Sequence, residues 1–245
     1  MLIGAGALLG AIIGSFIATI AMRWPRGLSV SQGRSACDGC GAPVGAARLV
    51  PLVSYALQRG RAACCGSAID PIHPLAELAA AAIGATSVAV SAAPGQALAG
   101  ALFGWLLLAL ALLDIRHFWL PDRLTAALAA TGLLAGFVLP PTLTDRLIGG
   151  AAGFLAFAAI RHGYRLLRRR EGMGGGDVKL FGAIGLWLGW RALPLVLLGA
   201  AVAGLAWSLI GMARGQRMTG ASSVPFGAFL ALAGWTTWVV DGMWR

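Results

Sequence analysis

Charge is what this sequence has least of. Only 11% of its 245 residues are Asp, Glu, Lys or Arg, against about 25% in an average soluble domain. Nine residues are acidic, and 58% are apolar before any of the 36 Gly are counted. That scarcity excludes a water-soluble globule, and the apolar content excludes a disordered chain, whose mark is low hydrophobicity. The stretch Leu2–Met22 carries no charge, and its first positive flank, Arg23 and Arg26, follows it. A cleaved signal peptide has the reverse order, so a retained span with its N-terminus outside is expected. Familiar hydrolase signatures are missing too. There is no G-x-S-x-G elbow and no H-E-x-x-H helix, and His73, His117 and His162 are scattered. No internal repeat is evident, and no basic stripe interleaved with aromatics points to nucleic acid.

What is there is a series of apolar segments near the 20 residues or so that a membrane span needs. They run over Leu2–Met22, Pro74–Ala92, Ala97–Leu113, Leu124–Val138, Leu147–Ile160, Leu180–Trp190, Leu193–Met212 and Phe226–Val240. The expectation is an all-α polytopic membrane protein of about eight transmembrane helices. Residues 23–72 interrupt the pattern with six Arg and all four Cys, and read as a small cytoplasmic domain between the first two spans. The domains are then 1–22, 23–72 and 73–245. Lys and Arg number six in 23–72, two in 114–123, six in 161–179 and two in 214–217, against Arg146, Arg191 and Arg245 on the other side. By the positive-inside rule the Cys-bearing side is cytoplasmic, both termini lie outside, and the net charge of +10 is mostly topology with the lipid bilayer as partner.

Among the acids, Asp38, Asp70, Asp145, Glu171 and Asp241 read as solvated or interfacial. Glu77, Asp114, Asp122 and Asp177 lie at or near inner ends of spans, where a carboxylate is expensive and points to function. Asp177 follows Gly174, Gly175 and Gly176, a run open to backbone conformations and close approaches closed to other residues. Singly, Asp177 reads equally well as a helix N-cap and Asp114 as a partner of Arg116. Together, two carboxylates at one interface form a pair able to divide acid and base roles and hydrolyse a peptide bond without a covalent intermediate. A non-enzymatic transporter or assembly factor is the rival. It would place charges at mid-span or show an inverted repeat of broken helices.

The run Gly174-Gly175-Gly176-Asp177-Val178-Lys179-Leu180 with Gly189-Trp190 resembles the Gly-x-Gly-Asp motif of type IV prepilin peptidases. Asp114 with Leu120-Pro121-Asp122-Arg123-Leu124-Thr125 resembles that family's first aspartate motif. Gly14-Ser15-Phe16-Ile17, Arg59-Gly60-Arg61, His73-Pro74-Leu75-Ala76-Glu77-Leu78 and Pro225-Phe226-Gly227-Ala228-Phe229 correspond as well, in order. The resemblance implies a membrane aspartic endopeptidase of the bacterial inner membrane, its active site facing the cytoplasm. Asp114 and Asp177 would be catalytic, with Asp122, Gly174, Gly176, Lys179 and Glu77 supporting. The implied substrate is a type IV prepilin or type II secretion pseudopilin: a short basic leader, a Gly, then a long apolar helix. S-adenosylmethionine-dependent N-methylation of the new terminus is implied by resemblance alone, since 23–72 lacks a dinucleotide-type glycine turn.

Cys37-x-x-Cys40 followed by Cys64-Cys65 in a reducing cytoplasm reads as zinc-binding more readily than as disulfides. The family's second C-x-x-C would put Cys at Ala62. Here Cys65 matches, and Cys64 is displaced by two. Reduced, inert thiols are the alternative, with Asp38 or His73 as substitute ligands. A bound zinc would fold the segment, which has little core of its own.

Overall fold

A computed structural model describes residues 1–30, 36–45, 49–170, 172–215 and 224–243. Arg34, Arg48, Glu171, Arg217 and Arg245, which entered the charge pattern above, lie outside the described residues. The elements in order are α1 (Leu2–Arg23), α2 (Val53–Leu57), α3 (Ile72–Val90), α4 (Pro94–His117), α5 (Asp122–Ala135), α6 (Leu143–Arg168), α7 (Gly175–Leu188), α8 (Leu193–Ala213) and α9 (Phe226–Met243). Each of the eight apolar segments is a helix. Among the described residues the only strand-like pairing is two isolated antiparallel bridges, Ala36 with Pro43 and Arg61 with Ala68.

Among the described residues, five stretches are long and apolar enough to cross a membrane: Leu2–Arg26, Ile72–Val90, Pro94–His117, Leu143–Arg168 and Trp190–Ala213. The expected count of eight is therefore not reached on length and composition. At 14 residues, α5 and α7 extend about 21 Å, against a hydrocarbon core of about 30 Å. Two boundaries also differ from the sequence reading. Helix α4 runs past Asp114 to His117, and α6 runs past Ile160 to Arg168, so Arg161, Arg165 and Arg168 are helical rather than in a loop.

The chain divides into two compact units, Met1–Ala109 and Leu110–Arg245. In the first, α1 and α3 pack antiparallel on small residues. Gly6, Gly10 and Gly14 lie against Gly84, Ala80 and Ala76, so close that a β-carbon at Gly10 would collide with the Ala80 carbonyl. Trp105 donates its Nε1–H to that same carbonyl (3.0 Å). Between these helices sit two turns and α2. Leu52, at φ +59°, opens α2 and donates its N–H to Glu77 Oε2 (2.7 Å).

In the second unit the same device joins α6 to α7. Gly149, Gly150 and Gly153 face Gly185, Leu186 and Phe181, and a β-carbon at Gly149 would stand 2.7 Å from Gly189 C. Such stripes let membrane helices approach closely, where packing replaces the missing hydrophobic drive. Helix α5 joins α7 through Trp187, whose Nε1–H donates to Leu128 O (2.7 Å) beside Gly132. Phe157 of α6 stacks on Phe181 of α7 at 4.2 Å and reaches Phe226 at the start of α9.

Arg146 holds the far ends of these helices. Counted by sequence among the charges of the opposite side, it is 2% exposed. Its guanidinium donates to the carbonyls of Gly132, Leu139, Pro140, Pro141 and Leu186 at 2.9–3.4 Å. Those of Gly132 and Leu186 lie in the last turns of α5 and α7, where helix carbonyls lack intrahelical partners, and the other three lie in the connection from α5 to α6. A cation there also complements the helix dipoles.

Candidate active site

Two carboxylates from different helices meet at the start of a third. Asp114 lies in the last turns of α4 and is 5% exposed; Asp177 is the third residue of α7 and is 9% exposed. Asp114 Oδ2 accepts the N–H of Ala228 (2.9 Å), in the first turn of α9. Gly227, one residue earlier, is where the two acids converge. A β-carbon on it would stand 3.0 Å from Asp114 Oδ2 and 3.2 Å from Asp177 Oδ1. A side chain there would have to push both carboxylates aside.

The local sequence explains how each acid arrives. Gly174 is the N-cap of α7, in extended backbone (φ −64°, ψ 146°). This replaces the reading of Asp177 as the cap: Asp177 lies one turn inside, its Oδ2 3.3 Å from where a Gly174 β-carbon would be. A β-carbon on Gly176 would stand 2.8 Å from Leu120 Cβ, so the second helical residue must also be bare. Asp114 turns to the backbone of α9, accepting the Ala228 N–H. Helix α4 closes with the Phe118 N–H on the Asp114 carbonyl (2.9 Å). The chain reverses at Phe118 (φ +49°), a left-handed helix stop that a bulky residue adopts only under constraint. Leu120 and Pro121 follow, and α5 begins at Asp122.

Asp122 and Lys179 come together, Nζ to Oδ1 2.6 Å, with side chains 72% and 47% exposed. The ion pair ties the two aspartate motifs at the surface; it does not join the buried pair. Glu77 belongs to the first unit, buried on α3, and its observed work is to hold the amide of Leu52.

The four cysteines form a second cluster. Ala36–Pro43 and Arg61–Ala68 are matching turns, each closed by a bridge and each with a glycine in left-handed backbone, Gly41 and Gly66 (φ +72°). In each, the amide at the first cluster position bonds across the turn, Cys37 N to Ala42 O and Ala62 N to Ser67 O, both 2.8 Å. Ala62 thus occupies the place of Cys37, Cys65 that of Cys40, and Cys64 that of Gly39. All four Sγ atoms lie within 4.8 Å of one another. Cys37–Cys65 is 3.8 Å, Cys40–Cys64 3.4 Å and Cys64–Cys65 3.9 Å. Four thiolates at about 2.3 Å from a tetrahedral zinc stand about 3.8 Å apart, so these residues fit the ion. Their charges point the same way. The amides of Cys40 and Gly39 bring the Cys37 thiol down to about 6, and Ser67 lowers Cys65. Crowding by Cys37 and Cys40 pushes Cys64 up to about 12, an opposition that a central cation would remove. Asp38 and His73, the suggested substitute ligands, pair with each other at 3.4 Å.

Two family models match the chain, one over each of the regions that hold these clusters. Residues 101–209 match the type IV leader peptidase family, and residues 8–91 match the bacterial peptidase A24 N-terminal domain. Proteins named prepilin leader peptidase/N-methyltransferase are similar to the chain. That of Aeromonas hydrophila is 41% identical over 82% of this chain and 70% of its own length. That of Pseudomonas aeruginosa is 34% identical over 93% and 87%. The chain belongs to the type IV leader peptidase family. It is therefore an enzyme of the peptidase class, built as an all-helical membrane protein. That of Burkholderia pseudomallei is 42% identical over 83% of this chain and 66% of its own length. No solved structure matches.

The leader peptidase match covers Asp114, Leu120, Asp122, Asp177 and Lys179; the N-terminal match covers α1 from residue 8 onward, the four Cys and Glu77. Neither reaches Gly227 and Ala228, which the sequence reading quoted in a motif without assigning them to the site. The signal was a proline, Pro225, ahead of an apolar run, a common helix start. Leu120 was passed over because one leucine among many carries no chemical signature. Arg146 was missed because an Arg at a span end reads as topology.

Proposed function

We infer that the chain is a membrane aspartic endopeptidase that removes the leader of a prepilin or pseudopilin at the cytoplasmic face of the inner membrane. The observation that carries this reading is the convergence of Asp114 and Asp177 on the bare α-carbon of Gly227. Two buried carboxylates so placed titrate as a unit and divide acid and base roles between them. One carboxylate takes a proton from water as the oxygen attacks the scissile carbonyl. The other, protonated, gives its proton to the carbonyl oxygen, yielding a neutral gem-diol. Collapse of that diol breaks the C–N bond, and a proton passes to the leaving amine. Low exposure of both acids keeps bulk water from screening these transfers. Asp122, Lys179, Gly174, Gly176 and Glu77 are assigned positioning work. The apolar segment of the substrate would lie against the helices while its leader remains on the basic side.

The division into 1–22, 23–72 and 73–245 is retained as a functional one, with the cytoplasmic segment serving N-methylation of the new terminus. Cys37, Cys40, Cys64 and Cys65 would hold a zinc ion whose work is to fold that segment. Four sulfur ligands leave no open position for a reacting water. The methyl donor, S-adenosylmethionine, is assigned no residues of this chain.

The test is direct. Purified protein is incubated with a prepilin, with and without S-adenosylmethionine, and the product's N-terminus is read by mass. Cleavage that Asp114→Asn and Asp177→Asn both lose supports the reading, and an uncut substrate overturns it. A cut product that never gains a methyl group removes the second activity alone.

A further inference from the structure

The catalytic pair has a neighbour that takes part in no proton transfer. Leu120 lies between the starts of α7 and α9, and two glycines face it. A β-carbon on Gly176 would stand 2.8 Å from Leu120 Cβ, and one on Gly227 2.8 Å from Leu120 Cδ1. Gly227 is also the residue on which both carboxylates converge. The leucine side chain therefore fills space next to the two acids, at the one place where both flanking helix starts have been stripped to backbone. It is held there by a constrained connection: Phe118 reverses the chain at φ +49°, and Pro121 leads into α5 with Thr125 bonding back to its carbonyl (N–H 3.1 Å, hydroxyl 3.2 Å).

We propose that Leu120 is the specificity-determining residue of this site, limiting the size of the substrate residue whose carbonyl is attacked. A substrate carbonyl that reaches both acids must bring its own α-carbon beside Gly227. That α-carbon then stands against Leu120, and any β-carbon on it competes with the leucine methyls for one volume. Packing at this density does not absorb even one methylene without cost. A pocket that discriminates by a single methyl or methylene does so by about 10- to 200-fold. The peptidase prefers a residue with no side chain at that position because of the leucine, and the two glycines opposite keep the leucine's own place open.

The proposal rests on the leader-peptidase reading, and one experiment separates the two. Substrates that differ only at the residue preceding the cut bond, as Gly, Ala, Ser or Val, compete in one reaction, and product masses give the ratio of kcat/KM. With unmodified enzyme the expected order is Gly first, then Ala and Ser, with Val uncut. In Leu120→Ala the Ala-to-Gly ratio rises about tenfold, and in Leu120→Val it rises less. The ratio is taken within one preparation, so a smaller folded fraction leaves it unmoved; a leucine with only a packing role would lower every substrate alike. An unchanged ratio in both variants, with the Gly substrate still cut, overturns the assignment to Leu120. If unmodified enzyme cuts none of the four, the leader-peptidase reading falls instead.

Discussion

The acid pair and the thiol cluster solve one problem, bringing ligating groups together, in opposite ways. The cysteines sit on two short turns, three of the four exposed, placed by neighbours within a few residues: a bridge, a left-handed glycine and a cross-turn hydrogen bond each. The aspartates lie 63 positions apart in the chain and are placed by helix ends. Asp114 depends on the α9 start, Asp177 on the α7 start, and α7 in turn on the α6 glycine stripe and the α5 tryptophan contact. A site made of local turns tolerates changes elsewhere; one made of three helix ends does not. It needs every packing contact that sets those ends.

The largest way to break this contrast is at the acids. Asp114→Asn or Asp177→Asn should lower leader cleavage by roughly 10^4-fold or more, with insertion unchanged by protease mapping; full processing by either variant would dismiss the pair. Next comes Arg146→Met. Stranding five carbonyls at about 1–3 kcal/mol per buried group, softened by relaxation, should cost about 3 kcal/mol or more. A melt in detergent micelles reads this, and Arg146→Lys should fare poorly too, because an ammonium cannot fork to them all. Third, Gly227→Ala pushes a methyl between the carboxylates. It should cut kcat by about 10²-fold, the cost of a shift near 1 Å at a reacting centre, while the melt moves little. In the other region, Cys40→Ser or Cys64→Ser should abolish bound zinc, measured by elemental analysis, and loosen 36–70 to protease while leader cleavage survives. Loss of cleavage there would show the two regions to be coupled. The smallest effect belongs to the exposed Asp122–Lys179 pair, worth about 0–1 kcal/mol; Asp122→Asn should keep more activity than either buried aspartate variant.

Much of this was legible in the sequence, for identifiable reasons. Eight apolar runs became eight helices because apolar length and period are carried locally. Glu77, Asp114, Asp122 and Asp177 stood out because carboxylates are rare in such a chain; Glu77, Asp114 and Asp177 are buried, and Asp122 is exposed. Cys64 was visible as displaced only against the second C-x-x-C that the family resemblance implies. Its equivalence to Gly39 required the two turns to be laid over each other. Helix ends were read less well: α4 and α6 each continue past the last apolar residue, since backbone hydrogen bonding does not stop where hydropathy does. The partners of the two aspartates were read less well for a related reason: Asp177 bonds the backbone of Gly174 three residues back, which is the cap itself, while Asp114 bonds the Ala228 N–H, 114 positions away.

By itself, then, the sequence determined that the chain is a helical membrane protein and that its acids are few and meaningful. Those are properties of composition and of spacing within a turn or two. Tertiary structure alone decided that the start of α9 completes the acid site, that Leu120 fills the space beside it, and that Arg146 is a buried clamp. Each depends on contacts between residues far apart in the chain. No periodicity encodes such contacts; close packing against glycine creates them.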